Sequence, residues 1–338
     1  MRIVNAMFGR GRGGLEQVFL DYGEALALAG YEVLALIHPD AAIRPALERR
    51  RVPFHALGNR GAWDPVAMLR LRSWLRQHAP DAAFAHGNRA ISLLKGAGAR
   101  PLVGVAANYT LKGAGLQGIL CATDDLARHC RERGFAGALI SVVPHMVAAP
   151  ADPPRRIWRQ PPVIGAMGRF VAKKGFDVLI EALQRLSATG MPFRAIIAGD
   201  GEEAVALKQL AGARGLSGLV EFPGWQDDPA AFFDSVDIFC LPSLHEPFGI
   251  VLLEAMAQAL PVIATDSEGP SEILHDSIDG IVVAKGDAAA LAEGLGRMLR
   301  DPETARAMGA NAHATVREHY SLSLLSARLD AVLRSLVR

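Results

Sequence analysis

The chain has few cysteines, few aromatic residues and no long apolar run, and each shortage excludes a class of protein. Its 338 residues include three cysteines, whose spacing suits neither a disulfide framework nor a zinc site: Cys121, Cys130 and Cys240. No apolar run reaches the roughly 18 residues that would cross a bilayer, and the apolar stretch after Arg2 is too short for a secretory signal. We therefore expect a reduced, cytoplasmic protein that needs no metal ion or other cofactor.

Net charge is also almost absent, at +1, but this value hides an asymmetry. The first 160 residues carry 21 basic and 12 acidic side chains, whereas the rest of the chain carries 15 and 23. A basic half joined to an acidic half indicates that each half binds a different partner. The alternative is that the charge difference has no binding role and only keeps the two halves soluble. Aromatic residues make up 6% of the chain and are not interleaved with the basic ones, so we do not expect nucleic acid as a partner.

Short apolar runs alternate with amphipathic stretches in both halves, which predicts α/β units with parallel sheets. In the first half the predicted helices are Leu15–Ala29 and Pro65–His78, and the predicted strands are Arg2–Met7, Glu32–Ile37, Asp81–His86, Pro101–Ala106, Gly118–Ala122 and Ile140–Val143. Residues 147–162 hold five prolines and no apolar period, which is typical of a linker. The alternation then resumes, with strands at Val163–Met167, Phe193–Ala198, Val220–Phe222, Ile238–Leu241, Val262–Ala264 and Ile281–Val283, and helices at Phe176–Ser187, Glu203–Arg214, Pro229–Asp234, Phe248–Ala259, Ala288–Arg300 and Pro302–His319. We therefore predict two doubly wound domains, 1–146 and 163–320, that face each other across a ligand-binding cleft.

A glycine-rich turn follows the first strand. Gly9, Gly11 and Gly14 match the dinucleotide pattern G-x-G-x-x-G, but Ile37 and His38 end the next strand, where an acidic residue should hold the ribose. A different interpretation is that Gly13 and Gly14 let an anionic ligand approach the backbone at the start of a helix. An ordinary turn with permissive glycines remains the alternative.

The second half has two cations in one loop after its first strand. Arg169 and Lys174 lie where open α/β sheets bind their ligands, at the carboxyl end of a strand. An arginine and a lysine at this spacing can neutralise a diphosphate, the arginine through two parallel hydrogen bonds and the lysine as a point charge. Lys173, beside them, is interpreted as a solvated surface charge.

A later segment carries two carboxylates, Glu246 and Glu254. Pro247 fits the first turn of a helix, which would let the backbone N–H groups of 248–250 bind an anion or sugar hydroxyls. Glu254 would lie roughly 12 Å further along that helix, too far from Glu246 for both to flank one bond at the about 5 to 9 Å that hydrolases use. The pair is therefore interpreted as two anchors for different parts of one long ligand.

Taken together, these motifs resemble those of family 4 (group 1) glycosyltransferases, which have the GT-B fold of two Rossmann-like domains. The resemblance extends over nearly the whole chain and rests on Gly13-Gly14-x-Glu16, Arg169 to Gly175, Gly199-Asp200-Gly201 and Glu246-x7-Glu254 with Pro-Phe-Gly between. It implies retaining, metal-independent transfer of a sugar from a nucleoside diphosphate donor.

The resemblance also implies roles for residues of the second domain. Glu246 would hold the hydroxyls of the donor sugar and Glu254 its ribose, while Arg169 and Lys174 would stabilise the departing diphosphate. The backbone of Phe248, Gly249 and Ile250, together with Gly199, would contact sugar and phosphate. Gly13 and Gly14 would approach the diphosphate from the first domain, onto which the segment 321–338 would cross back.

The first domain departs from the family pattern at one place. Many relatives have a histidine after the strand that corresponds to Leu102–Ala106, whereas this chain has Asn108, Tyr109 and Lys112 nearby. We expect Asn108 and Tyr109 to replace it as hydrogen-bonding groups and Lys112 to meet an anionic acceptor. The other acceptor-side candidates are Glu16 and His86, although His86 fits a structural role equally well. His145 is interpreted as part of the hinge, and His245 as facing the donor.

The acceptor itself is less determined. A basic first domain fits a glycan or lipid-linked acceptor of the lipopolysaccharide type, and the helix 65–78 mixes Trp74 and leucines with Arg70, Arg72 and Arg76. This composition predicts either a contact with anionic lipid on the inner face of the cytoplasmic membrane or a core-facing helix with a solvated basic side.

Three hypotheses follow from the sequence. The chain is a glycosyltransferase, a nucleotide-sugar-binding subunit without activity, or an NAD-dependent oxidoreductase. The absent histidine favours the second hypothesis. No acidic residue ends the second strand to hold the ribose of NAD, and an oxidoreductase does not explain the Glu246–Glu254 segment. Both observations argue against the third hypothesis.

Overall fold

The structure is a computed structural model that describes residues 1–11, 13–135, 137–226 and 228–337. The chain divides into two compact units. The first comprises residues 1–146 and 322–338, and the second comprises residues 147–321. The second unit is therefore an insertion in the sequence of the first.

The first unit is built on a parallel sheet. Its strands are β1 Arg2–Met7, β2 Glu32–Ile37, β3 Phe54–Ala56, β4 Ala82–His86, β5 Leu102–Ala106, β6 Gly118–Cys121 and β7 Leu139–Val142. Their spatial order is β3-β2-β1-β4-β5-β6-β7. The helices of this unit are α1 Gly14–Leu28, α2 Arg44–Arg49, α3 Pro65–His78, α4 Asn88–Ala97, α5 Asp124–Glu132 and α13 Leu322–Leu336. The order reverses between β1 and β4, which places the loops that follow these two strands at a topological switch point.

The second unit repeats this plan. Its strands are β8 Val163–Met167, β9 Arg194–Ala198, β10 Val220–Glu221, β11 Ile238–Leu241, β12 Val262–Thr265 and β13 Ile281–Val283, in the order β10-β9-β8-β11-β12-β13. Its helices are α6 Phe176–Ser187, α7 Ala204–Ala213, α8 Pro229–Asp234, α9 Ile250–Ala257, α10 Pro270–Ile273, α11 Ala288–Arg300 and α12 Pro302–His319, with a 3₁₀ turn at Ala172–Lys174. Here the switch point lies between β8 and β11.

The central strands of both sheets are buried on both faces, because helices cover each side. β4, β5, β11 and β12 consist entirely of buried residues. Unbroken apolar strands of this kind are what a parallel sheet requires. Each unit therefore has its own apolar core between sheet and helices.

The proline-rich segment 147–162 has no regular secondary structure, but it is fastened to the second unit. The Arg156 guanidinium donates to the carbonyl of Val236 at 2.7 Å, and Arg159 pairs with buried Asp237 at 3.0 Å. Asp237 also accepts from the backbone N–H of Val163 at 2.7 Å. The predicted linker is thus tied along its second half to the start of β11.

The last helix returns to the first unit. α13 packs on α1 and buries Leu325, Leu329 and Leu333. The Tyr31 hydroxyl, just after α1, donates a hydrogen bond to the Asp330 carboxylate. The first unit therefore includes residues 322–338, 17 residues that follow the second unit in the sequence.

Candidate active site

The chemistry-bearing loops of the second unit meet at the carboxyl edge of its sheet. β8 and β11 are neighbours at the switch point, and the loops that follow them carry Arg169 to Lys174 and Ser243 to Glu246. The loop after β9 carries Gly199, and the loop after β12 carries Glu268. Strands far apart in the chain thus deliver these residues to one place.

Backbone hydrogen bonds fasten these loops to one another. The Lys173 carbonyl accepts from the N–H of Leu244 at 2.9 Å, and the N–H of Phe170 donates to the Asp200 carbonyl at 2.8 Å. The N–H of Gly269 donates to the Glu246 carbonyl at 2.8 Å. The positions of the site side chains are therefore set by backbone contacts.

Two glycines make this close approach feasible. Gly175 has φ +64°, and a Cβ there would lie 2.1 Å from the Pro242 carbonyl oxygen. Gly199 has φ +148°, and a Cβ there would lie 1.9 Å from the Gly168 carbonyl oxygen. Both positions require glycine for steric and conformational reasons, so the chain's own packing explains them without a ligand.

Lys174 and Glu246 form an ion pair at the centre of this arrangement. The ammonium of Lys174 contacts the Glu246 carboxylate, and their side chains are 19% and 10% exposed. The Ser243 hydroxyl adds a hydrogen bond of 3.4 Å to the same carboxylate oxygen. The two residues that the sequence assigned to diphosphate and donor sugar are therefore direct neighbours.

Glu268 belongs to the same cluster, although no sequence motif pointed to it. Its carboxylate accepts from the Glu246 backbone N–H at 3.0 Å and contacts the His245 imidazole at 3.1 Å, with the Lys285 ammonium 3.7 Å away. Burial raises the pKa of this carboxyl, but these hydrogen bonds and the lysine outweigh it and hold the pKa below its usual value. Glu268 therefore stays charged and fixes the backbone next to Glu246.

Arg169 is exposed in the loop after β8 that also carries Lys174. Among residues 1–11, 13–135, 137–226 and 228–337, none forms a hydrogen bond or ion pair with its guanidinium. Its N–H donors are therefore available to a ligand. The exposed Lys173 carries an equal charge in the same loop.

The helix predicted from Phe248 begins two residues later, at Ile250. Gly249 precedes it in a left-handed conformation, with φ +99°. The expectation that Pro247 occupies the first helical turn is therefore wrong, because a left-handed residue cannot continue a right-handed helix. Phe248 is buried, with its ring edge-on to Tyr320. The first amides of α9 are those of Ile250 and its successors, and Glu254 lies half-buried within the helix.

The glycine turn of the first unit differs from the loops of the second. α1 begins at Gly14 after an extended Gly13, and Glu16 supplies a negative charge in its first turn. A Cβ built at Gly9 or Gly11 would meet no atom within 4 Å. The packing that the structure describes for this turn therefore does not require these glycines, and its backbone is open to solvent.

His86 is a correction to the acceptor-side prediction. It ends β4, but it is 2% exposed, with its ring edge-on to Phe19 and Tyr22. Its Nε2 lies 2.7 Å from the side-chain Oδ1 of Asn5, while the side-chain amide of Asn5 donates to the Phe19 carbonyl. His86 is therefore a core residue rather than an acceptor contact. Its burial could not be predicted from its place in the sequence, because a histidine at the end of a strand can be either exposed or buried.

Burial also makes the pKa of His86 unusually low. Desolvation lowers it to about 3, with a smaller contribution from His145, whose own pKa burial lowers to about 4. Because Nε2–H donates to Asn5, protonation would place a proton on Nδ1, which has no hydrogen-bond partner among the described residues. Both histidines are therefore neutral in the folded protein, which suits a structural role.

We expect His86 to destabilise the protein in acid. The unfolded chain binds a proton near pH 6.5 and the folded chain does so only near pH 3, so His86 should lower the free energy of unfolding by about 2 kcal/mol between pH 7 and pH 5. His86→Gln keeps an amide donor for Asn5 and removes the titration. Urea unfolding of variant and wild type at both pH values tests this.

The comparison with wild type is needed because Asp21 acts in the opposite direction. Burial raises its pKa to about 7, so its protonation stabilises the fold as the pH falls. That contribution cancels in the difference between the two proteins. An equal pH dependence in His86→Gln and wild type would contradict the assignment.

Asn108, Tyr109 and Lys112 lie in the loop after β5, at the same sheet edge as the glycine turn. The side-chain Oδ1 of Asn108 accepts from the backbone N–H of Thr110 at 2.9 Å, and the Tyr109 hydroxyl donates to the Asp125 carboxylate. The Asn108 amide and the exposed Lys112 ammonium form no hydrogen bond in the part of the chain that is described. The loop is thus held by hydrogen bonds of its own residues, yet the exposed Asn108 amide and Lys112 ammonium remain available as donors.

The residues described include no cluster of three or more His, Cys, Asp or Glu that could hold a metal ion. They also include no helix long and apolar enough to traverse a lipid bilayer.

Two family models match the chain. Residues 13–138 match the glycosyl transferase 4-like domain, and residues 152–315 match the glycosyl transferases group 1. A lipopolysaccharide core biosynthesis glycosyltransferase of Rhizobium meliloti, LpsE, is 31% identical over 352 residues, which cover 99% of both chains. LpsD of the same organism is 30% identical over 95% of this chain and 94% of its own length, and a phosphatidyl-myo-inositol mannosyltransferase of Mycobacterium leprae is 30% identical over 92% and 90%.

Solved structures share the fold. Anabaena Alr3699/HepE in complex with UDP-glucose superposes with a TM-score of 0.84 at 20% identity, over 99% of this chain and all of its own. A glycosyltransferase from Rickettsia africae superposes at 0.80 with 17% identity, over 100% of this chain and 98% of its own. The predicted GT-B architecture of two Rossmann-like units is thereby confirmed. From the relatives that match it end to end, the chain belongs to the group 1 glycosyltransferases.

Proposed function

We propose that this glycosyltransferase moves a sugar from a nucleoside diphosphate sugar to a lipid-linked glycan of the lipopolysaccharide type. We further propose that it does so at the cytoplasmic face of the membrane, with retention at the anomeric carbon and without a metal ion. The observation that carries this proposal is the partly buried Lys174–Glu246 pair at the switch point of the second sheet, together with the exposed Arg169 of the same loop, whose guanidinium has no hydrogen bond or ion pair with the described residues.

The cluster suits a ligand with a diphosphate at one end and hydroxyls at the other. An ammonium has three N–H donors, so Lys174 can keep its bond to Glu246 and still donate to phosphate. Glu246 retains lone pairs for sugar hydroxyls, while the open amides of α9 suit phosphate oxygens. Glu254, further along α9, would bind the ribose of the donor. The backbone at Gly199 would make the remaining contacts with the donor.

The charges also suit the reaction. The bond between the anomeric carbon and the diphosphate oxygen breaks, and the acceptor hydroxyl oxygen forms the new bond from the same face. The proton of that hydroxyl passes to the departing phosphate oxygen. Negative charge grows on the diphosphate during this step, and preorganised cations at Arg169 and Lys174 would stabilise it.

The acceptor proposal rests on the relatives and on the first unit. LpsE and LpsD are both named for lipopolysaccharide core biosynthesis. At the carboxyl edge of the first sheet, the donors of Asn108 and Lys112 and the open glycine turn suit an acceptor that carries hydroxyls and anionic groups.

A donor panel tests the proposal. We expect UDP-, GDP- or ADP-sugars, but not NAD, to raise the melting temperature of the protein, because a ligand stabilises the state that binds it. With the donor so identified, transfer to lipopolysaccharide-core acceptors should continue in EDTA, and the product should keep the donor's anomeric configuration by NMR. Donor binding without hydrolysis or transfer would favour the non-catalytic subunit instead, and loss of activity in EDTA would overturn the metal-free mechanism.

A further inference from the structure

Asn88 joins two loops at the carboxyl edge of the first sheet. It is the first residue of α4 and follows β4, one of the two strands at the switch point. Its side-chain amide donates to the carbonyl of Thr110 at 2.8 Å, and its Oδ1 accepts from the backbone N–H of Lys112 at 2.8 Å. Because one amide group can donate and accept at once, Asn88 fastens the loop after β5 to the start of α4 through both of its polar atoms.

The two backbone groups that Asn88 binds depend on it for their hydrogen bonds. In the part of the chain that the structure describes, neither the Thr110 carbonyl nor the Lys112 N–H forms another hydrogen bond. A backbone group that loses its protein partner in an exposed loop bonds to water instead, and the loop gains mobility. Loss of the Asn88 side chain would therefore release this loop at both points.

Other contacts complete the attachment of the loop. Leu111, between the two backbone groups, is 5% exposed and packs in the apolar core of the first unit. The ring of Tyr109 lies edge-on to His129 of α5, with ring centroids 5.0 Å apart, and the Tyr109 hydroxyl donates to Asp125 of the same helix. Both α4 and α5 thus hold the loop.

This attachment determines where two donors of the loop lie. The Oδ1 of Asn108 accepts from the backbone N–H and the hydroxyl of Thr110, at 2.9 and 2.6 Å, which fixes the Asn108 amide. Lys112 carries its ammonium on a backbone that Asn88 holds. Both side chains are exposed. A ligand that binds both donors therefore meets them at a spacing that depends on Asn88.

We propose that Asn88 is a positioning residue for the acceptor. It keeps the loop 108–112 in the conformation in which the Asn108 amide and the Lys112 ammonium bind hydroxyl and anionic groups of the acceptor, and it does not itself touch the substrate. The inference rests on the proposed function, since the loop matters for transfer only if it binds the acceptor. A misplacement of about 1 Å can slow a reaction about a hundredfold, so the bonds that fix this loop can have a large effect.

Hydrogen exchange of the free protein tests the bridge without any substrate. Asn88→Ala removes both hydrogen bonds and gives α4 a residue that favours helix. The amide of Lys112 should then exchange about tenfold faster than in wild type, because it loses its hydrogen-bond acceptor. Asn88→Asp keeps an oxygen for that amide but has no N–H donor for Thr110, so exchange at Lys112 should stay close to the wild-type rate.

Gln117→Ala is the matched control. The Gln117 side chain also bridges two backbone groups of the first unit: its Oε1 accepts from the Leu102 N–H at 2.9 Å, and its amide donates to the Gly115 carbonyl at 3.2 Å. Leu102 begins β5, so these bonds lie at the amino edge of the sheet, opposite the loop 108–112. The control loses the same kinds of bond and should leave the exchange of Lys112 unchanged.

Kinetics then separates positioning from stability. In Asn88→Ala, kcat/KM for the acceptor should fall by about ten- to a hundredfold. Slow hydrolysis of the donor, and the rise in melting temperature that the donor causes, should stay at wild-type levels because Lys174 and Glu246 are untouched. Asn88→Asp should transfer at an intermediate rate. Gln117→Ala should transfer at the wild-type rate even where its melting temperature falls as far as that of Asn88→Ala.

Three results would overturn the proposal. Unchanged exchange at Lys112 in Asn88→Ala would mean that the bridge does not hold the loop. An equal loss of transfer in Gln117→Ala would mean that any weakening of the unit suffices, and an equal loss of transfer and donor hydrolysis in Asn88→Ala would mean that Asn88 acts on the donor. A wild-type protein that hydrolyses the donor but transfers to no core acceptor would instead contradict the proposed acceptor.

Discussion

Replacing Arg169 by alanine should lower kcat by about two to three orders of magnitude. Loss of one preorganised donor to developing negative charge typically costs this much. Arg169 is exposed and its guanidinium forms no hydrogen bond or ion pair with the described residues, so its replacement should leave the melting temperature unchanged. Initial rates of transfer, or of slow donor hydrolysis, measure the effect.

Lys173→Ala is the matched control for that experiment. Lys173 is an exposed cation of the same loop, and its structural contribution comes from its backbone carbonyl, which the substitution keeps. It should retain nearly full activity. If Lys173→Ala loses as much activity as Arg169→Ala, the effect of Arg169 comes from general positive charge rather than from contact with the departing phosphate.

The Lys174–Glu246 pair should give the second large effect, on activity and stability together. Lys174→Met removes a cation and leaves the Glu246 carboxylate buried without its main partner, so we expect a loss of about 3 kcal/mol in the free energy of unfolding. We also expect kcat to fall at least as far as in Arg169→Ala. Urea unfolding and initial rates measure the two quantities separately.

The double variant Lys174→Met/Glu246→Gln separates structure from chemistry. It removes both charges, so most of the lost stability should return while kcat stays as low as in Lys174→Met. Recovery of activity together with stability would mean that the pair serves the fold alone. Failure of stability to recover would mean that Glu246 is held by other contacts, such as the Ser243 hydroxyl and the backbone bond to Glu268.

Short apolar runs that alternate with amphipathic stretches made much of the fold predictable from sequence. Strands β1, β2, β8, β11 and β13 and helices α3, α6, α8, α11 and α12 have their predicted bounds. The short or less periodic elements α2, β3, α4, α5 and α10 were missed. They are held by contacts with the rest of their units, which local sequence does not reveal.

The site was predictable where neighbouring loops follow neighbouring strands, and less so where a remote residue completes it. Arg169, Lys174 and Glu246 could be selected because strand ends of a parallel sheet converge. Glu268 lies 22 residues beyond Glu246 and joins it through a backbone amide, a contact with no signature in the sequence. His86 shows the reverse difficulty, since a polar residue at a strand end looks the same whether exposed or buried.

The glycine pattern at Gly9, Gly11 and Gly14 illustrates the limit of a short motif. These glycines match the sequence motif of a dinucleotide site. The chain is nevertheless a glycosyltransferase, and the oxidoreductase hypothesis is wrong. Nucleotide-binding folds share this turn because an open backbone at a helix start attracts anions of many kinds. The absence of an acidic residue at the end of β2, where a dinucleotide site would hold the ribose, was better evidence about function than the glycine pattern.

The return of α13 to the first unit has a consequence for biosynthesis. A ribosome makes residues 147–321 between α5 and α13, which at about 5–20 residues per second takes on the order of ten to thirty seconds. During that time α1 lacks the helix that covers it, whereas every strand of the second unit is synthesised before α13. The second unit can thus fold before the first, although it is synthesised later. A stop codon before α13 would leave the first unit, most of which is synthesised earliest, without the helix that covers α1.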